Sequence, residues 1–163
     1  MKNLWKNLEM LTADIKNPVE LIKEQSEFLS EGTGGVLYIS INEIPQAGAI
    51  VTKILQNEKI NPKFRYKADI ASYYLPDYSY NFFALYYDIT FYPMLVNLSR
   101  EIADDISPSG EFPFVGENEY RKYIKVNNQE ELESVLGAIF NCDTIRTVLQ
   151  NMKAIVGDVD LNE

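Results

Sequence analysis

Four features of the sequence gather groups that could do chemistry: the run Gly32-Thr33-Gly34-Gly35, the single thiol Cys142 beside Asp143, the oxygen-rich stretch Asp104, Asp105, Ser107, Ser109 and Glu111, and the aromatic window from Tyr73 to Tyr92. A phosphate cradle needs its glycines to follow a strand and open a helix, so that backbone N–H groups face the anion, and a P-loop adds a lysine. Here the glycines leave a helical pattern and enter a strand pattern, and that lysine is missing, so the run reads as a left-handed cap and connector. A helix N-terminus can lower a thiol pKa, but no histidine is present to activate Cys142, which reads as a small residue in a tight turn. The acidic stretch misses the D-x-[DN]-x-[DN]-G spacing of a calcium loop and reads as solvated surface.

The aromatic window holds ten aromatic residues, half of the chain's 1 Trp, 11 Tyr and 8 Phe. Sheets that stack nucleobases interleave their aromatics with Lys or Arg. This window contains neither, so the rings read mainly as core, with some tyrosines left outside as interface residues.

What is missing narrows the chemistry further. With 0 His, the usual Ser-His-Asp and Cys-His nucleophiles and the His-containing zinc sites are excluded, and 1 Cys excludes an intramolecular disulfide. No spacing singles out a catalytic carboxylate pair, and no cofactor motif is visible, so neither a cofactor nor a metal is expected. The 24 acids outnumber 15 bases, a net charge of −9, and the isoelectric point is near 4.6. That balance opposes direct binding to nucleic acid or to an anionic membrane. No apolar run of ~18 residues or leader-like stretch is seen, so a cytoplasmic protein is expected.

The charge is localised. Residues 68–120 hold nine acids (Asp69, Asp77, Asp88, Glu101, Asp104, Asp105, Glu111, Glu117 and Glu119) against Arg100, a net of −8 out of −9. Electrostatic steering toward a basic protein would draw on this stretch, and the candidate partner-binding residues are Asp77, Asp88, Glu101, Asp104, Asp105 and Glu111, with Tyr78 and Tyr80 as aromatic anchors.

The elements that must position these residues follow from periodicity. Leu4, Trp5, Leu8, Leu11 and Ile15 predict a short amphipathic helix. Asn17, Pro18 and Glu20 mark a capped start for a second helix with Leu21, Ile22, Gln25, Phe28 and Leu29 on one face, ending at Gly32. A half-buried strand over 36–44 places Leu37, Ile39 and Ile41 on one face and closes at Pro45. Residues 46–58 favour a helix, although Gly48 and β-branched content leave a strand open. Strands over 64–74, 80–89 and 91–98 form the centre of a sheet with both faces covered. Residues 101–119, with no Lys or Arg and with Pro108, Gly110, Pro113 and Gly116, read as a long acidic loop that starts as a helical turn, before a strand over 120–126. Asn128 and Glu131 then cap a helix with Leu132, Val135, Leu136, Ile139 and Phe140 on one face, and Asp143 caps its partner. The whole predicts a single α+β domain over 1–163, with a mainly antiparallel sheet of about five strands packed by N-terminal helices and a C-terminal helical hairpin.

Residues 17–35, the stretch Asp88-Ile-Thr-Phe-Tyr-Pro93 and the helical pair over 129–151 resemble a loose family of small uncharacterised bacterial proteins, which share an N-P-x-x-[IL]-[IL]-K-E-Q helix, a sheet ending in [FL]-Y-P and a closing helical pair. The resemblance covers about two thirds of the chain and implies a bacterial α+β fold with no activity to carry over. The expectation is a non-enzymatic, acidic protein-binding domain, an immunity-like inhibitor or antitoxin that masks a basic effector. The alternatives are an accessory protein that self-associates and, third, a small-ligand enzyme using carboxylates or tyrosines.

Overall fold

The computed structural model describes residues 1–11 and 15–157. Its elements are α1 (Pro18–Gly32), β1 (Tyr38–Glu43), α2 (Ala49–Asn57), β2 (Phe64–Ala71), β3 (Ser79–Tyr87), β4 (Met94–Ser99), α3 (Arg100–Ile106), β5 (Phe114–Glu117), β6 (Arg121–Val126), α4 (Gln129–Asn141) and α5 (Asp143–Gly157). The strands form one antiparallel sheet in the order β1-β2-β3-β4-β6-β5. The class is α+β, with six strands where about five are expected.

Local signals set most boundaries. Asn17 Oδ1 accepts from Val19 N at 3.1 Å, with Pro18 in the first helical position. At the other end of α1, Gly34 N donates to Glu31 O at 3.3 Å and Gly35 N to Ser30 O at 2.7 Å, a Schellman closure that needs the left-handed φ of +66° and +80° at these two glycines. The expected cap-and-connector role of the cluster is what the backbone adopts. Residues 49–57 form the helix α2. Asn128 Oδ1 accepts from Glu131 N at 2.8 Å, while Glu131 Oε2 accepts from Asn127 N at 2.7 Å, closing α4 from both sides.

Elsewhere the structure corrects the pattern reading. The helix expected over Leu4 to Ile15 is present only as a 3-10 turn at Leu8–Met10 with no buried residue; residues 12–14 lie outside the described ones. Without a surface to pack on, a short amphipathic segment gains too little to offset helix nucleation. Phe28, expected on the buried face of α1, is 63% exposed. The acidic "loop" is mostly ordered: Ser99 caps α3, whose Ile102, Ala103 and Ile106 are buried, and Phe114–Glu117 supplies the sixth strand. β4 starts at Met94 because Phe91 takes a left-handed φ of 68°, which extended pairing cannot pass through. β2 stops at Ala71, where Ser72 opens a turn. α5 begins at Asp143 itself, and the acceptor for Thr144 N is Asp105 Oδ2, 2.8 Å away on α3.

Pairing alternation divides the sheet into two faces. Ile39, Ile70, Phe83, Leu85, Val96, Leu98, Ile124 and Val126 point toward α1, α3, α4 and α5 and form the main core. A bulge lets β3 add one residue, since Ala68 pairs with Phe83 but Asp69 pairs with Asn81. Phe82 and Phe83 therefore both face the helices, with rings 4.6 Å apart and both close to Phe140. The opposite face is covered by α2 through Val51, Ile54 and Leu55 against Ala84, Tyr86, Leu95 and Tyr123. Gly116 permits that approach: a Cβ there would lie 2.7 Å from Ile54 Cδ1.

Candidate functional site

Six strands in this order bring the start of β1, the end of β2, the start of β3, the ends of β4 and β5 and the start of β6 to one end of the sheet. Two turns present tyrosines there. Between β2 and β3, Leu75 N donates to Ser72 O and Tyr78 N to Leu75 O, while Ser72 Oγ accepts from Tyr74 N. This winding leaves Tyr73 75% and Tyr78 50% exposed, with the Tyr73 ring stacked 4.5 Å from Tyr38. Between β5 and β6, Asn118 Oδ1 accepts from Tyr120 N and Arg121 N, both at 2.8 Å, and leaves Tyr120 72% exposed.

Acids stand beside these rings. The Ser99 cap (Ile102 N to Ser99 Oγ, 3.4 Å) fixes Glu101 in the first turn of α3. Tyr80, Glu101, Asp104, Glu119 and Tyr120 share an open depression of about 590 Å³. Asp77 and Tyr78 share the adjoining one with Tyr38, Asp69 and Tyr73. Part of the charge is neutralised by bases that the chain brings back from β6 and α3: Arg100 Nη2 lies 3.1 Å from Glu117, and Lys122 Nζ lies 3.5 Å from Asp104 and 3.9 Å from Glu117. Asp77, Glu101 and Glu119 have no ion-pair partner among the described residues. Burial first, and then Glu101, pushes the Tyr80 phenol above its ordinary value, so it remains a neutral hydrogen-bond donor in an anionic setting.

Of the eight residues singled out from sequence, five therefore gather at this end: Asp77, Tyr78, Tyr80, Glu101 and Asp104. Asp105 is committed to Thr144, accepting from its N at 2.8 Å and its Oγ1 at 2.5 Å at the start of α5. Glu111 lines a separate hollow with Phe112, Val126 and Glu131. Asp88 sits at the far end of β3, accepting from Ile89 N at 2.7 Å.

Sequence reasoning missed Glu119 and Tyr120, and it missed a polar row that runs from the tyrosine end across the α2 face. Asp69 accepts from Asn81 Nδ2 at 2.9 Å and from Ser79 Oγ at 3.4 Å; Arg121 donates through Nε to Asn97 Oδ1 at 2.7 Å and through Nη2 to Asn81 Oδ1 at 3.3 Å. Asp69 and Asn97 are buried. Burial lowers the Arg121 pKa, with the phenols of Tyr123, Tyr86 and Tyr80 pulling it back. The available signal was an isolated polar residue among apolar neighbours in a strand, as in Ala68-Asp69-Ile70-Ala71 and Leu95-Val96-Asn97-Leu98.

Cys142 is buried, and that burial raises its thiol above the ordinary value despite hydrogen bonds from Ile145 and Thr144 backbone groups. Among the described residues, no three His, Cys, Asp or Glu side chains converge as a metal site requires, and no helix is long and apolar enough to cross a membrane. No protein family, curated protein or solved structure matches the chain.

Proposed function

We propose that this chain is a non-enzymatic protein-binding domain that docks a basic partner on the tyrosine- and acid-lined end of its sheet, in the manner of a bacterial immunity protein or antitoxin masking a cationic effector. The observation that carries the reading is the adjacency of exposed Tyr78 and Tyr120 to Asp77, Glu101 and Glu119, three carboxylates without ion-pair partners among the described residues. Tyrosine anchors supply contact area at low entropic cost, and unpaired carboxylates accelerate encounter with a cationic surface. A single buried thiol suits a reducing compartment, so the cytoplasm is the proposed setting.

The test is capture from an extract of the native host at low and at raised salt, comparing the wild type with Tyr120→Ala and with a Glu101→Lys, Glu119→Lys double variant. One basic protein held by the wild type, weakened by salt and lost from both variants is the expected result. Equal retention by the charge-reversed variant, or retention of no basic protein, overturns the proposal.

A further inference from the structure

The hollow beside Asp77 and Tyr78 differs in kind from the one beside Tyr120. It measures about 460 Å³ and lies where the start of β1, the end of β2 and the β2–β3 turn meet. Tyr38, Tyr73 and Tyr78 supply its aromatic lining; Asp69 and Asp77 are its charged residues, and no base lines it. Lys67, two places before Asp69 on β2, stays outside the lining, whereas the hollow beside Tyr120 includes Arg100. Asp69 is 6% exposed. Its carboxylate accepts from two neutral groups, Asn81 Nδ2 at 2.9 Å and Ser79 Oγ at 3.4 Å, out of about four acceptor positions that a carboxylate offers. Among the described residues no Lys or Arg stands within 4.0 Å of Asp69 or Asp77. The link from Asp69 to a cation is indirect, because Asn81 turns its Oδ1 to Arg121 Nη2 at 3.3 Å and its Nδ2 to Asp69.

We propose that this hollow takes a guanidinium group, the side chain of an arginine on the basic partner, with Asp69 and Asp77 accepting from its N–H groups beside a tyrosine face. The inference rests on the docking reading above and names what the partner must present. Three observations select this ligand. First, a buried carboxylate held only by neutral donors gains a charge-assisted bond when a cation reaches it, and the lining carries no positive charge to oppose one. Second, Asn81 and Ser79 fix that carboxylate before any ligand arrives, which reduces the ordering that binding must supply. Third, Tyr38 and Tyr73 stack 4.5 Å apart at 23° and leave Tyr73 75% exposed, a flat wall at the rim. A planar, weakly hydrated guanidinium stacks on such a ring and still offers a fork of donors to a carboxylate. A compact, strongly hydrated ammonium does neither as well.

The isolated, isotope-labelled full chain is titrated with N-acetyl-arginine methylamide and, separately, with its lysine analogue at matched low ionic strength, while backbone amide shifts are followed. Saturable shifts at the amides of residues 38–42 and 69–79 with the arginine probe, and weaker binding of the lysine probe, are the expected result. Asp69→Asn should weaken the arginine probe ~10-fold and Tyr73→Ala ~3-fold, with unchanged circular dichroism as the check on folding. Tyr73 and Asp77 are exposed, so Tyr73→Ala and Asp77→Asn test the site even where Asp69→Asn loosens the polar row. Absence of saturable shifts at these amides, an arginine affinity untouched by the substitutions, or a lysine probe bound as tightly overturns the proposal. So does a captured basic partner that Asp69→Asn and Asp77→Asn both retain as well as the wild type does. The titration needs no partner protein. Its failure alongside successful capture removes the guanidinium site and leaves the docking reading, whereas capture of no basic protein removes the docking reading and the partner's arginine with it.

Discussion

On the face of the sheet that carries α1, α3, α4 and α5, Phe83, Leu85, Val96, Leu98 and Ile124 are each 0% exposed among apolar neighbours. On the reverse face the same central strands place Asp69, Asn81, Asn97 and Arg121, and these side chains are held by one another. The difference lies in what each face demands. An apolar layer is satisfied by volume and tolerates several ways of filling it, whereas a half-buried polar row is stable only when donor meets acceptor at every step. The first face therefore holds the fold, and the second fixes the positions of the strand ends that carry the tyrosines and acids.

Phe83→Ala should break the contrast most strongly, losing roughly 3–5 kcal/mol in denaturant unfolding because the bulged pair packs against Phe140 and cannot close the gap. On the polar face, Asn97→Ala removes the 2.7 Å acceptor of Arg121 Nε and should cost roughly 1.5–3 kcal/mol, the range for a hydrogen bond to a charged group. A double-mutant cycle with Asn81→Ala sharpens the point: the two should be non-additive, because both asparagines hold one guanidinium. Simple additivity would show the row to be a set of independent contacts.

The smallest effect concerns a polar atom on the wrong side of this division. Tyr92 packs against the main core, and its buried hydroxyl has no hydrogen-bond partner among the described residues. Burial, with Glu133 adding to it, pushes its phenol up to about 12. The unfolded phenol ionises near 10, so between about 10 and 12 the unfolded chain has released a proton that the folded chain retains, and stability falls as pH rises through that window. Tyr92→Phe should leave neutral-pH stability unchanged or raised by up to ~1 kcal/mol, and reduce the alkaline loss. An unaltered profile from pH 9 to 12 would show that other groups govern it.

Much of this division was legible in the residues. Asn17-Pro18, the Gly34-Gly35 closure and the Asn128 to Glu131 cap are local arrangements, decided by atoms within a few positions of one another, and the structure forms all three. What sequence could not show depends on partners distant along the chain. Asp105 looks like surface charge until Thr144 arrives beside it, and the net of −8 over 68–120 looks uniform until Lys122 is paired next to Asp104 and Glu117. Glu119 and Tyr120 gain meaning only once β6 is inserted beside β4, which places their turn next to the start of β3. For the segment over 4–11, the periodicity signals an apolar face and leaves open whether this chain or another supplies the surface for it.

The insertion of β6 between β4 and β5 also bears on how the chain is made. During synthesis β4 is available some twenty residues before its neighbour β6, and its Leu95, Val96 and Leu98 are all 0% exposed in the finished fold. Until the β5–β6 hairpin arrives, the nascent sheet ends in a bare apolar edge with unpaired backbone groups, the form most open to adding strands from other chains. Truncation between residues 99 and 121 should therefore give insoluble material rather than a smaller folded domain.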